Sequence, residues 1–216
     1  SPVDHLVLLA ASPEGYRNLV RVVSRGHTHP ASDAAPSVRF EDVAANAKGL
    51  VCMTACMGGL VQQRVLEEGM DAGLATVDRL REVFDPGHLF LEIQDHGFPE
   101  QPVVNGILAD IGRRLDVPLV ASNDCHFKGR DDGEAQLYLQ CIGTGRSFND
   151  AKAAHHGSYE MFLKSGDEMA EALRDYPDAI ANTMRVAEMC SGWKLSLGTP
   201  MLPSFQVPDG YDTDGY

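Results

Sequence analysis

Four short apolar runs, each followed by stretches with helical spacing, constrain this chain more than any other feature of it. Residues 5–10 (HLVLLA), 50–54 (LVCMT), 88–93 (HLFLEI) and 117–122 (VPLVAS) have strand length and strand composition. Ser12-Pro13-Glu14 reads as an N-cap, a proline at the first helical position and an early acid, so a helix follows the first run through Tyr16, Leu19, Val20, Val22 and Val23. Residues 27–38 are rich in Ala, Pro and Ser and read as a loop. Helices are predicted near 40–47, 59–69, 71–84 and 99–115, the last with Val103, Val104, Ile107, Leu108 and Ile111 on one face. Further helices fall near 133–142, 166–174 and 177–190, and Asp85-Pro86-Gly87 reads as a turn. Strands separated by helices predict an α/β fold with parallel strands and crossover helices. Residues 1–194 form the domain body, and the Gly/Pro-broken stretch 195–216 reads as an extended linker.

Charge limits the partners. Lys and Arg total 18 against 31 Asp and Glu, a net charge of −13. Such a surface repels phosphate backbones, which makes the segment a poor candidate for a non-specific nucleic-acid clamp; any such contact would be local, or run through a metal or other parts of a larger protein. Five cysteines without a tight framework argue against a secreted disulfide scaffold and for a reduced, cytoplasmic setting. No run approaches the roughly 18 apolar residues of a membrane span, and the N-terminus lacks a secretory pattern.

In barrels of strand–helix units, chemistry sits at the C-terminal strand ends. Cys56 follows the second run, Asp95 and His96 the third, and Asn123-Asp124-Cys125-His126 the fourth. Carboxylate and imidazole suit borderline divalent metals, and a thiolate favours zinc. In extended chain, residues two apart point the same way, so Asp124 and His126 can share one metal. Each also has a bland reading: a turn-capping Asp124, a buried Cys56 thiol, and an ordinary Asp95-His96-Gly97 turn with Gly97 supplying positive φ. His27/His29 and His155/His156 fall in loops and read as solvated. Gly143-Thr144-Gly145 lacks a preceding strand, so it is not a phosphate-binding fingerprint. No G-x-S-x-G elbow or P-loop is present.

In chain order, several segments resemble the PHP (polymerase and histidinol phosphatase) domain of bacterial DNA polymerase III alpha subunits. They are His5–Ala10 with Glu14–Leu19, Thr54–Gly59, Leu91–Gln101, Val120–Phe127, Cys141–Gly145, Phe162–Ser165 and Leu202–Tyr211. The resemblance implies part of a distorted TIM-like (β/α)7 barrel whose N-terminal strands lie before residue 1. It implies divalent metal (Zn, Mn or Fe) held by His5, Cys56, Asp124 and His126; His5 enters through the resemblance alone. Asp95 and His96 match a motif near the site and carry no ligand role. The family's opening H-x-H strand, its T-D-H segment and its G-x-E strand are absent, the loop 27–38 diverges, and Leu60 and Gln136 stand where an acid and a histidine are usual.

By this resemblance the parent is a DNA-directed DNA polymerase, and its PHP site a metal-dependent 3′–5′ exonuclease or phosphoesterase. Its partners would be the rest of the alpha chain, DNA and a proofreading exonuclease subunit. The segment carries no palm-domain carboxylates for nucleotidyl transfer, so alone it is expected to be inactive, with metal expected in the intact domain and a metal-free segment as the alternative. Two alternatives stand beside this: a non-catalytic docking domain, and a free-standing PHP phosphoesterase. An apolar seam where the preceding strands would pack is expected to favour self-association.

Overall fold

A computed structural model describes residues 3–32, 35–154, 159–195, 197–198, 206–210 and 212, with the backbone alone over 152–154. His155 and His156, read above as solvated, and residues 202–205 and 211 of the 202–211 segment lie outside the described residues. Four strands form one sheet in the order β1 (Val7–Ala10), β2 (Leu50–Met53), β3 (Leu89–Ile93) and β4 (Leu119–Ala121). All four predicted runs are strands, each shorter than its apolar stretch.

The pairings β2–β3 and β3–β4 are parallel, as expected. The pairing β1–β2 is antiparallel, which corrects the all-parallel expectation. The connection explains it. Helix α1 (Pro13–Thr28) leads away from β1, and the loop with α2 (Phe40–Ala44) leads back, so β2 starts beside the end of β1, with Ala10 opposite Leu50. A connection that returns to its starting edge must feed an antiparallel strand. The return is tight: a Cβ on Gly15 would lie 1.9 Å from the Gly49 carbonyl oxygen, and Gly49 itself has φ +71°. The Ser12 hydroxyl accepts the Gly15 amide as predicted, but α1 runs to Thr28, taking in the start of the expected loop. The His29 amide caps α1 on the Arg25 carbonyl, and its exposed ring contacts the Thr28 hydroxyl through Nδ1 at 3.0 Å.

One sheet face packs on helices α3 (Leu60–Glu68), α4 (Met70–Arg81) and α5 (Gln101–Leu115). Leu50, Cys52, Leu89, Leu91, Ile93 and Ala121 meet Val61, Val65, Val77, Leu80, Leu108 and Ile111 there. Of the apolar residues expected on one face of α5, Val104, Leu108 and Ile111 are buried and Ile107 packs against the core, while Val103 stands in solvent. The opposite residues of the strands, Val51, Phe90 and Val120, meet Val186 of α9 (Pro177–Ser191). After α9, Trp193 donates its indole N–H to the Ala10 carbonyl at 3.0 Å and tilts against Tyr16. Past β4 come a 3-10 turn (Arg130–Asp132), α6 (Gly133–Thr144), α7 (Phe148–Ala154) and α8 (Gly166–Ala172). Helix α7 was not expected from the sequence. Among the described residues no helix is long and apolar enough to cross a membrane.

Candidate metal centre

The C-terminal ends of β2, β3 and β4 lie side by side, and the candidate residues cluster there in two pairs. The first is Cys56 with His5. After β2 the chain passes through Ala55, a non-glycine residue at φ +65°, into the Cys56–Gly59 turn. The segment before β1 locks onto this turn: the His5 amide donates to the Gly58 carbonyl at 3.0 Å, and the Leu60 amide to the His5 carbonyl at 3.1 Å. Gly59 is needed for the fit, since a Cβ there would lie 2.0 Å from the Thr54 carbonyl oxygen. Cys56 Sγ and His5 Nδ1 are thereby 3.6 Å apart. Burial chiefly raises the Cys56 thiol pKa, hydrogen bonding at the Gly58 amide lowers it, and the Asp124 charge raises it further. The thiol is therefore protonated at neutral pH unless a cation draws off the proton.

The second pair is Asp124 with His126, Oδ1 to Nε2 at 3.4 Å. Asp124 also has positive φ, +42°. The segment is anchored on 160–164. The His126 amide donates to the Met161 carbonyl at 2.8 Å, and Phe127 bridges Phe162. Buried Asn123 donates to the carbonyls of Glu160 and Phe162 and accepts from the buried Lys164 ammonium at 3.0 Å. Lys164 also bonds the Glu160 carbonyl.

The residues of the third strand end do not open onto a ligand. Asp95 Oδ1 accepts the Gly97 amide at 2.8 Å, and Gly97 has φ +75°, the ordinary turn weighed above. His96 is 1% exposed. Its Nε2 donates to the Asn123 carbonyl at 2.8 Å, and its Nδ1 accepts from Gln101 at 3.0 Å, which fixes one neutral tautomer. Burial lowers its pKa, opposed by the Asn123 hydrogen bond. His96 is a buried tie between the β3 turn and the end of β4.

Sequence reasoning missed Glu92. Its carboxylate is 5% exposed, on β3 between the two pairs. It accepts the Ala55 amide at 2.8 Å, the Ser122 hydroxyl, and Gln94 Nε2 at 3.4 Å. Burial raises its pKa, its hydrogen bonds from Ser122, Ala55 and Gln94 lower it, and the Asp124 charge raises it again. Gln62, also missed, donates to Thr54, Ala55 and the Glu92 carbonyl. A chamber of about 10 Å³ lies among Cys56, Gln62, Glu92 and Gln94. The only buried side-chain acceptors without a partner among the described residues, Gln62 Oε1 and Gln94 Oε1, belong to two of the residues lining it. The apolar-run pattern of β3 hid Glu92, because a lone acid inside LFLEI reads as an ordinary strand interruption.

The two pairs fit a metal as pairs. At tetrahedral angles, zinc bonds of about 2.3 Å to sulfur and 2.0 Å to nitrogen separate those ligands by about 3.5 Å; oxygen and nitrogen ligands stand about 3.4 Å apart. The observed 3.6 and 3.4 Å agree with those edges. Neither pair is a full ligand set: among the described residues no group of three or more His, Cys, Asp or Glu side chains is placed to hold one ion.

Residues 2–96 match the PHP domain family. The chain is 35% identical to the DNA polymerase III subunit alpha of Borreliella burgdorferi over 98% of its own length and 18% of that protein. It is 32% identical to the subunit alpha of Treponema pallidum, over 97% of the chain and 18% of the relative. An error-prone DNA polymerase of Symbiobacterium thermophilum is 28% identical, over 98% of the chain and 21% of the relative. The chain thus spans about a fifth of the length of these relatives. It carries PHP-domain sequence within a stretch homologous, over nearly its whole length, to part of the DNA polymerase III alpha subunit.

Proposed function

We propose that this chain is the C-terminal portion of the PHP domain of a DNA polymerase III alpha subunit, and that its strand-end pairs hold divalent metal for phosphodiester hydrolysis. The observation that carries the reading is the pairing itself. Cys56/His5 and Asp124/His126 stand at one end of the sheet with separations that suit two ligands of one ion. Residues 1–194 would be the PHP body and 195–216 the connection onward. The four-stranded sheet would be part of a distorted TIM-like (β/α)7 barrel whose other strands supply the remaining ligands.

In this reading His5 and the Cys56 thiolate hold one side of the centre, and Asp124 and His126 the other. Zinc suits the first pair, and manganese or iron also suits the second. A bound divalent ion supplies Lewis acidity, activating water and neutralising phosphate charge in a 3′–5′ exonuclease reaction. The chain itself orients the donors: Asn123 and Lys164 fix the backbone before Asp124, and His96 ties that backbone to β3. Polymerisation, contact with DNA and a proofreading subunit belong to the parent protein.

A docking role has one observation in its favour, the incomplete ligand groups among the described residues. Elemental analysis of the intact protein carrying this chain separates the two. Stoichiometric metal that falls in both Asp124→Ala and Cys56→Ser supports the metal centre. Metal content unchanged in both variants sinks it and leaves the docking role.

A further inference from the structure

We infer that Glu92 is a positioning residue that couples the two ligand pairs, setting the Cys56 turn and the Asp124 turn relative to each other through one buried carboxylate. It sits on β3, between the two strands, β2 and β4, that lead into the turns carrying Cys56 and Asp124. One of its oxygens holds the turn after β2 and the other the end of β4. Oε2 accepts the Ala55 amide at 2.8 Å, one residue before Cys56. Oε1 accepts the Ser122 hydroxyl, two residues before Asp124. The Glu92 backbone completes the tie. Its amide donates to Thr54 Oγ1 at 2.8 Å, and its carbonyl accepts Gln62 Nε2 at 3.1 Å, a nitrogen that also bonds the Ala55 carbonyl at 3.0 Å.

Both turns need such an anchor. Ala55 and Asp124 occupy left-handed backbone conformations without being glycine, at φ +65° and +42°. That conformation disfavours a side chain and persists only where the surroundings over-determine it. The Ala55 amide gains a charge-assisted hydrogen bond from Glu92. A glutamine in the same strand position could still accept the Ala55 amide and donate its own amide to the Ser122 hydroxyl oxygen, but its bond to Ala55 would no longer be charge-assisted. A carboxylate inside a run of buried apolar residues is otherwise costly, and its expense is explained by holding two turns at once.

The functional meaning of the inference rests on the metal reading proposed above, so its test is metal-free. The chain carries its own reporters: Cys56 in one turn, Cys125 in the other, and Cys52 fully buried in β2. Alkylation of each cysteine is followed by peptide mass spectrometry in the intact protein, stripped of metal, for wild type, Glu92→Gln and Ser122→Ala. Glu92→Gln is expected to speed Cys56 labelling by about tenfold, the factor that one charge-assisted hydrogen bond is worth. Cys52 is expected to stay protected. Ser122→Ala cuts only the β4 side, yet it is expected to speed Cys56 as well as Cys125, because the carboxylate then loses its second anchor. Cys56 unchanged in both folded variants overturns the inference. So does Cys52 rising in step with Cys56, which would make Glu92 an ordinary contributor to core stability. If Glu92→Gln does not fold, Ser122→Ala decides alone by the same criterion. A protein that binds no metal yet shows the selective Cys56 response would sink the metal reading and keep this one.

Discussion

The two ligand pairs reach the same end of the sheet by different means. The Cys56/His5 pair is built from neighbouring backbone: His5 brackets the Gly58–Leu60 turn with two main-chain hydrogen bonds, and Gly59 lets the turn close. The Asp124/His126 pair rests on the distant 160–164 segment, through the His126–Met161 main-chain bond and through the buried side chains of Asn123, just past β4, and Lys164. A pair made by backbone depends on space for a missing Cβ. A pair made by side chains depends on satisfied buried polar groups. Each should therefore break in its own way.

The largest break is expected at Gly59→Ala. The new methyl meets the Thr54 and Cys56 carbonyl oxygens as well as Gln62 Oε1, and the backbone cannot give way as a side chain can, so the Cys56 turn must move, at a loss of about 3 kcal/mol by denaturant unfolding. Cys56 should label faster while Cys125 keeps its wild-type rate. Equal changes at both would show that the two turns are one unit at this level.

Asn123→Ala tests the other side. It removes one acceptor of the Lys164 ammonium, which keeps its bond to the Glu160 carbonyl, and the amide donor of the Glu160 and Phe162 carbonyls, at about 2 kcal/mol. Here Cys125 should respond and Cys56 should not, because Ser122 and Glu92 are untouched.

Titration sharpens the comparison at lower amplitude. His96 has a folded pKa below its ordinary 6.5. The unfolded chain then binds the proton more readily, so the stability His96 contributes is present above 6.5 and lost as pH falls through the folded value. Glu92 runs the opposite way. Its folded pKa lies above the ordinary 4.5, so its contribution is full below 4.5 and lost as pH rises through the folded value. Unfolding midpoints against pH should show the acid-side loss flattened in His96→Gln and the rising-pH loss flattened in Glu92→Gln. An unaltered profile in either variant removes that group from the account.

The smallest effect is expected at Asp95→Ala. This half-buried side chain caps the Gly97 amide, so about 0.5 kcal/mol is at stake and metal content should not change.

Much of the framework was legible in the sequence. The strand runs, the Ser12 cap, the Gly97 turn and the candidate pair Asp124/His126 follow from local patterns that short-range sterics and hydrogen bonding enforce. The antiparallel β1 was not legible, because strand direction depends on where the α1–α2 excursion ends. Nor was the interior role of His96: the same Asp-His-Gly letters describe an exposed ligand or a buried tie, and only the Asn123 and Gln101 partners decide between them. Val103 failed for a related reason, since a helix face is set by what packs on it and not by periodicity alone.

By itself the sequence determined the alternation of strands and helices, the acidic surface and the types of donor at each strand end. These depend on neighbours within a few residues and on composition. Tertiary structure alone decided that His5 reaches Cys56, that Glu92 stands between the two turns, and that the ligands form two pairs. Those distances come from strand register and long-range hydrogen bonds, which join residues 30 to 51 positions apart and leave no trace in local spacing.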